Sequence, residues 1–221
     1  ESGCGKSLTA LSVMGLLPKG VGRRAAGTIT LGGERIEQAG EKQLEHIRGD
    51  RIGMVFQEPM TALNPVHTIG AQVAEPLRLH KKLGREDARQ QAVALLERVG
   101  IDQAGARFDA YPHQFSGGQR QRITIAMALA CGPDLLIADE PTTALDVTLQ
   151  RQILELIGEL VRERNMALLL ISHDLGVIAG NTRRMMVMYG GTVVEEGPTS
   201  AVTWPGARFR LKPRSTSFSG V

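Results

Sequence analysis

The chain opens with two glycines placed shortly before a lysine and a serine. The order is Glu1-Ser2-Gly3-Cys4-Gly5-Lys6-Ser7, which fills the last seven positions of the pattern G-x-x-x-x-G-K-[ST]. Glycines let the backbone curl so that successive N–H groups point at an anion, and a helix beginning near Lys6 adds the positive end of its dipole. The pattern favours a phosphate-binding loop in which Lys6 contacts the outer phosphates and Ser7 holds Mg²⁺. A glycine-rich turn before an ordinary helix is the alternative.

The same pattern predicts where the chain begins within the motif. The glycine that starts the pattern would lie one position before Glu1, and the strand leading into the loop would lie further upstream. We therefore expect a chain truncated at its N-terminus within the phosphate loop. Cys4 is interpreted as a residue that fills the loop, since nothing around it indicates nucleophilic catalysis.

A second constraint is an apolar segment that ends in two carboxylates. It reads Leu135-Leu136-Ile137-Ala138-Asp139-Glu140. Ligands of α/β folds bind at the carboxyl ends of parallel strands, so acids placed here would face the binding crevice. Because neighbouring strand residues point to opposite sides, the two acids can have different roles. Asp139 suits the metal shell, and Glu140 suits polarising a water for attack on a phosphate. The alternative is a strand end capped by solvated charge.

Strand and helix patterns alternate along the chain, which favours an α/β fold. Several predicted strands are apolar throughout, as strands buried on both faces of a parallel sheet are. The predicted strands are 28–31, 52–56, 135–138, 167–171 and 185–189. Gly32-Gly33 predicts a hairpin turn within 28–37, and helical periodicity is clearest in 85–99 and 148–164.

The pattern changes between the second and third predicted strands. Residues 58–131 carry little strand pattern and contain several prolines. We predict that they form a helical subdomain inserted into an α/β core made of 1–57 and 132–202. Residues 203–221 lack periodicity and are predicted to be a disordered basic tail.

A third motif joins a serine and two glycines to the start of an apolar helix. Phe115-Ser116-Gly117-Gly118-Gln119 is followed closely by the apolar run 123–130. Ser116 can cap that helix, and the glycines leave its first N–H groups open to an anion. A plain capped helix would explain the serine but not the double glycine.

Together these motifs resemble the ATP-binding subunits of ABC transporters. The matching elements are the phosphate loop (Gly3–Ser7), the Q-loop glutamine (Gln57), the signature (Ser116–Gln119), the metal-and-water pair (Asp139 and Glu140), the D-loop (143–146) and the switch histidine (His173). The resemblance covers roughly residues 1–200. It implies a P-loop NTPase (RecA-like) core with a parallel sheet, an inserted helical subdomain and a small antiparallel β element.

The resemblance also implies binding and hydrolysis of ATP with Mg²⁺. The implied ATP-binding residues are Ser2, Gly3, Cys4, Gly5, Lys6, Ser7, Leu8 and Gln57, and the implied metal ligands are Ser7, Gln57 and Asp139. Glu140 and His173 would be catalytic, with His173 contacting the γ-phosphate and orienting the water. The alternatives are that Gln57 is an exposed polar residue at a strand end and that His173 is structural.

The signature implies a second subunit. Ser116, Gly117, Gly118 and Gln119 would bind the ATP of a partner ATPase in the family's head-to-tail dimer. Asp146 would arrange contacts across that dimer. An acid just before a helix is also commonly a simple cap, and this alternative stays open for Asp146.

Residues 57–65 give a narrower resemblance, to bacterial importers of dipeptides, oligopeptides or nickel. The implied partners are a second, related ATPase, two membrane permeases and, indirectly, an external solute-binding protein. Residues 58–80 would receive the permeases. The implied location is the cytoplasmic face of the bacterial inner membrane, as a peripheral subunit. The cargo and the choice between homodimer and heterodimer stay open.

Charge and cysteine content limit the other function classes. The formal net charge is +3, but residues 204–221 contribute four basic and no acidic residues, which leaves 22 basic and 23 acidic residues elsewhere. We therefore expect no nucleic-acid partner. Two cysteines exclude a disulfide scaffold and suit a reducing cytosol. The alternatives to a transport ATPase are a soluble ABC ATPase of DNA repair or translation, and an inactive fragment.

Overall fold

Three parallel strands lie side by side at the centre of the fold. In sheet order they are β3 (Ile52–Val55), β4 (Leu135–Asp139) and β5 (Ala167–Ile171). The computed structural model describes residues 5–18, 20, 22, 25–57, 62–143 and 145–202. Ile52 is level with Leu135, which is level with Ala167. Because the strands run in register, the segments that follow them meet at one edge of the sheet.

Helices and two short hairpins surround this sheet. The helices are α1 (Lys6–Met14), α2 (Glu41–Ile47), α3 (Ile69–His80), α4 (Arg85–Arg98), α5 (Gly117–Leu129), α6 (Val147–Glu163), α7 (Leu175–Asn181) and α8 (Thr199–Val202), with a 3₁₀ turn at Pro112–Gln114. The hairpins pair β1 (Thr30–Leu31) with β2 (Glu34–Arg35), and β6 (Arg184–Tyr189) with β7 (Thr192–Pro198). Within the described residues, no helix is both long and apolar enough to cross a bilayer.

Strand β4 is apolar on both sides because both faces of the sheet are covered. Leu136 packs into the larger core, which α3, α4, α5 and α6 share. The next residue, Ile137, packs on the opposite face with Ala10 and Met14 of α1. Each of these strand side chains is fully buried, which stabilises the fold by about 1.5–3 kcal/mol per residue. This arrangement, with its antiparallel hairpins, confirms the predicted α/β fold class.

Helix α5 lies unusually close to β3. A Cβ added to Gly53 would come within 2.2 Å of the carbonyl oxygen of Ala128, so only glycine allows this approach. The contact ties α5 to the strand that leads to Gln57. The α/β core and helical subdomain boundaries of 1–57, 58–131 and 132–202 stay a prediction, and the predicted tail lies outside the described residues.

Helix α6 follows its predicted stripe. Ile153, Leu156, Ile157 and Leu160 are buried, as the spacing of apolar residues over 148–164 predicts. Strand β7 has no counterpart in the sequence analysis. Its signal was the pair Gly190-Gly191 between two segments of high β propensity, both glycines having positive φ angles that suit a hairpin turn.

Candidate active site

A tight turn after β4 places Glu140 at the carboxyl edge of the sheet. Its N–H donates to the carbonyl of Ile171 at the end of β5, at 2.9 Å. The N–H of Thr143 donates back to the carbonyl of Glu140 at 3.2 Å, closing a turn whose second residue is Pro141. Glu140 has a φ of 47°, a left-handed conformation that side-chain-bearing residues seldom adopt. Such local strain is typical of functional positions.

Three side chains from different segments surround the carboxylate of Glu140. Gln57 Nε2 donates to Oε2 at 3.1 Å, and Thr143 Oγ1 donates to the same oxygen at 3.0 Å. His173 Nδ1 lies 3.3 Å from the other oxygen, Oε1. The sheet therefore brings together Gln57, Glu140 and His173, which lie far apart in the sequence.

A small cavity adjoins this group. Its volume is about 50 Å³, and its lining includes Glu140, Thr143, Ser172 and His173. A cavity of this size with polar walls has room for a water molecule.

The surroundings keep Glu140 ionised. Burial alone would raise the pKa of Glu140, but hydrogen bonds from Thr143 and His173, together with the charge of Lys6, hold that pKa below its usual value. An ionised carboxylate can accept a proton from water at neutral pH, as a general base must.

Asp139, the neighbouring acid, is in a different environment. It is only 4% exposed, and its Oδ1 has no hydrogen-bond partner among the described residues. Burial raises the pKa of Asp139, and a hydrogen bond with Ser7 and the charge of Lys6 offset this only in part. A buried carboxylate oxygen without a partner, beside a serine hydroxyl, is a donor set that suits Mg²⁺.

The start of α1 supplies the cationic side of the site. Gly5 precedes the helix with a φ of 87°, the left-handed conformation that the loop requires and glycine allows. Lys6 and Ser7 follow in the first turn, and both act on Asp139. Leu8 is half exposed. The other residues predicted for ATP binding, Ser2, Gly3 and Cys4, lie outside the described residues.

The signature segment forms a second helix terminus. Ser116 Oγ accepts from the N–H of Gln119 at 3.3 Å, and Gln119 Oε1 accepts from the N–H of Ser116 at 3.1 Å. This reciprocal capping box begins α5. A Cβ at Gly117 would meet no atom within 4 Å, whereas one at Gly118 would lie 3.3 Å from Leu149. A side chain at 118 would press on Leu149, whereas nothing within the described chain restricts a side chain at 117.

The signature and the D-loop stay apart from the Glu140 group. No hydrogen bond between described residues joins Ser116–Gln119 to that group. Asp146 Oδ1 accepts from the N–H groups of Thr148 and Leu149, each at 3.0 Å, so it caps α6. Within this chain Asp146 acts as an ordinary helix N-cap.

Sequence reasoning missed the contact of Thr143 with Glu140. A signal was present, because Glu140-Pro141 predicts a turn that returns the third residue after the glutamate to its side. Gln150 was also missed. Its Nε2 donates to the carbonyl of Leu145 at 3.2 Å and reaches that of Thr142 at 3.5 Å, which holds the turn against α6.

Two curated proteins with similar sequences carry names that refer to peptide transport. A Brucella melitensis protein named as a peptide import ATP-binding protein is 55% identical over 207 residues, which are 91% of this chain and 61% of that protein. The dipeptide transport ATP-binding protein DppD of Bacillus subtilis is 52% identical over 197 residues, or 89% of this chain and 59% of DppD. The chain thus spans about three fifths of the curated relatives it matches.

A solved structure extends the comparison to the fold. The dimeric ATP-binding cassette MJ0796, in a post-hydrolysis state bound to ADP and Pi, has a TM-score of 0.77 and 29% identity, covering 90% of this chain and 82% of that one. The ABC transporter family itself matches residues 1–143. With that match over more than half of its length, the chain belongs to the ABC transporter family.

Proposed function

We propose that the protein is the ATP-binding and ATP-hydrolysing subunit of an ABC-type peptide importer. The observation that carries the proposal is the Glu140 carboxylate, held by Gln57 and facing His173, beside a buried Asp139. Family membership supports ATP as the substrate, and the names of the two relatives support peptide transport. These names favour transport over the alternatives in DNA repair and translation.

The proposed metal ligands are Ser7, Asp139 and Gln57. Asp139 contributes an unpartnered buried oxygen, and Ser7 already contacts the same carboxylate. When bound, Mg²⁺ would neutralise charge on the nucleotide phosphates. The adjacent Lys6 would contact the outer phosphates, within a loop formed by Ser2–Ser7 and followed by Leu8.

The proposed reaction is an in-line displacement by water. Glu140 accepts a proton from the water as the water oxygen forms a bond to the γ-phosphorus. The bond from that phosphorus to the bridging oxygen breaks, and its electron pair leaves with ADP. His173, which also lines the cavity, orients the water and contacts the γ-phosphate. The left-handed backbone of Glu140 and its hydrogen bonds hold the base in place before the nucleotide binds.

A second ATPase subunit completes the proposed site. The open approach to Gly117 and the uncovered start of α5 suit contact with a phosphate that this chain does not itself hold. In a head-to-tail dimer, Ser116–Gln119 of each subunit would face the ATP of the other, with Asp146 at the contact between them. The dimeric state of MJ0796 supports this arrangement.

The proposed permease contact lies on the segment before and within α3. Val66 is 72% exposed and Leu79 is 58% exposed, so each offers an apolar side chain to a partner. We assign residues 62–80 as the described part of this surface. The complex would consist of two ATPases and two permeases, with an external solute-binding protein acting indirectly. The ATPases would lie at the cytoplasmic face of the inner membrane.

Replacing the base tests the proposal directly. Glu140→Gln keeps the size and the hydrogen-bond acceptor of the side chain but removes its capacity to take a proton. We expect MgATP hydrolysis by the full-length protein to fall at least about 100-fold, while MgATP binding measured by calorimetry is kept. Glu155→Gln, at a well-exposed position on α6, is the matched control. Unchanged turnover in Glu140→Gln would refute the assignment.

A further inference from the structure

The two carboxylate oxygens of Glu140 have different surroundings. Oε2 accepts two hydrogen bonds, from Gln57 Nε2 at 3.1 Å and from Thr143 Oγ1 at 3.0 Å. Oε1 faces His173 Nδ1 at 3.3 Å, and the water-sized cavity is lined by Glu140, His173 and Thr143. A carboxylate oxygen that already accepts two hydrogen bonds has little capacity left for a water. Oε1 is therefore the oxygen that can still accept a hydrogen bond from a water.

We propose that Thr143 is a positioning residue for hydrolysis: its hydroxyl holds Oε2 and so leaves Oε1 as the oxygen that receives the proton of the water. The proposal rests on the proposed function, in which Glu140 is the base. In this proposal Thr143 acts through the Glu140 carboxylate and not on the phosphate. It acts by stopping rotation of the carboxylate, which would otherwise exchange the two oxygens.

The backbone fixes the Thr143 hydroxyl in this place. The turn that begins at Glu140 is closed by the N–H of Thr143, so the two residues are joined through the main chain as well as through side chains. Gln150 donates to the carbonyl of Leu145, just beyond the turn, and so holds it against α6. Because Glu140 is in a left-handed conformation, its side chain direction depends on this support.

Gln57 alone is a weaker restraint on Oε2. It lies in the segment that follows β3, 83 positions away in sequence, and it is itself assigned to the metal and the nucleotide. If Gln57 moves toward the nucleotide and its Nε2 leaves Oε2, the Thr143 hydroxyl is the donor that stays with that oxygen. Positioning by Thr143 therefore matters most while ATP is bound, which predicts an effect on kcat rather than on KM.

The test compares three substitutions of Thr143 in the full-length protein. Thr143→Ala removes the hydroxyl, Thr143→Val removes it while keeping the branched shape, and Thr143→Ser keeps it. We expect kcat for MgATP hydrolysis to fall about tenfold in the Ala and Val variants, with KM changed less than about twofold. Thr143→Ser is expected to keep kcat within about twofold of the parent protein.

Thr182→Ala is the matched control. Thr182 is half-buried and its hydroxyl also donates a hydrogen bond, here to the carbonyl of Ile178 at 2.8 Å, but it lies outside the site. Unchanged kcat in Thr143→Ala, a loss in Thr143→Ser equal to that in Thr143→Ala, or a rise in KM with kcat kept would each overturn the proposal. If the parent protein shows no MgATP hydrolysis, the proposed function fails instead, so the two failures are distinguishable.

Discussion

Two buried polar side chains, Gln72 in the helical segment and Asp139 at the carboxyl edge of the sheet, differ in how far the chain satisfies them. Gln72 of α3 is 5% exposed, and its side chain makes three hydrogen bonds. Its Oε1 accepts from the N–H of Asn64, and its Nε2 donates to the carbonyls of Asn64 and His67. Asp139 of β4 is 4% exposed, yet its Oδ1 has no partner among the described residues.

The difference distinguishes a polar side chain that supports the fold from one that is available to a ligand. Gln72 is satisfied by the chain itself, and it ties residues 64–67 to α3, next to the proposed permease surface. Asp139 stays unsatisfied because a complete set of protein partners would leave no room for a ligand. Buried polar groups without partners cost free energy, so their presence at a sheet edge indicates a site that a ligand completes.

The largest expected effect comes from Asp139. Asp139→Asn removes the buried charge while keeping the shape. We expect MgATP hydrolysis to fall on the order of 100-fold, because the metal loses its charged ligand. The free energy of unfolding without nucleotide should stay the same or rise, since burial of the charge, which raises the pKa of Asp139, no longer opposes folding. Activity assays and denaturant titration measure the two effects. A large loss of stability would show that Asp139, like Gln72, supports the fold.

For Gln72 we expect the opposite pattern, a loss of stability without a loss of nucleotide binding. Gln72→Leu leaves the N–H and carbonyl of Asn64 and the carbonyl of His67 without their partner. We expect the free energy of unfolding to fall by about 2 kcal/mol, while MgATP affinity of the folded protein is kept. Denaturant titration and calorimetry give these values. Gln90→Leu, at an exposed position on α4, is the control for the apolar substitution itself. Equal effects in both variants would contradict the structural role of Gln72.

The sequence predicted the edge of the sheet better than its details. Apolar strands that end in Gln57, in Asp139-Glu140 and near His173 can be placed at one edge from the rule for parallel strands. Different roles were predicted for the two acids because neighbouring strand residues point to opposite sides, and these roles stay a prediction. The hydrogen bonds of Gln72 could not be predicted in this way. They depend on the path of the backbone at residues 64–67, and no periodic pattern in the sequence describes that path.

The side-chain geometry of the site also could not be predicted from the sequence. The left-handed backbone of Glu140 depends on bonds to Ile171 and Thr143, one of them on a strand that follows more than twenty residues later. Asp146 looks the same in sequence whether it caps a helix or contacts a partner. The structure shows the cap, and only a dimer can show the other role.

The smallest expected effect on stability is at Gln121. This residue also tests most directly whether the difference between Gln72 and Asp139 is a difference between the helical segment and the sheet edge. It lies on α5, two residues after the signature, is 1% exposed, and neither amide atom has a hydrogen-bond partner among the described residues. Gln121→Met keeps the length of the side chain and removes the unsatisfied groups. If Gln121 is only a cost to folding, the free energy of unfolding should rise by about 1 kcal/mol, with hydrolysis unchanged. Gln90→Met is the exposed control. If stability holds and turnover falls instead, Gln121 belongs with Asp139, and the helical segment too keeps a polar group unsatisfied for function.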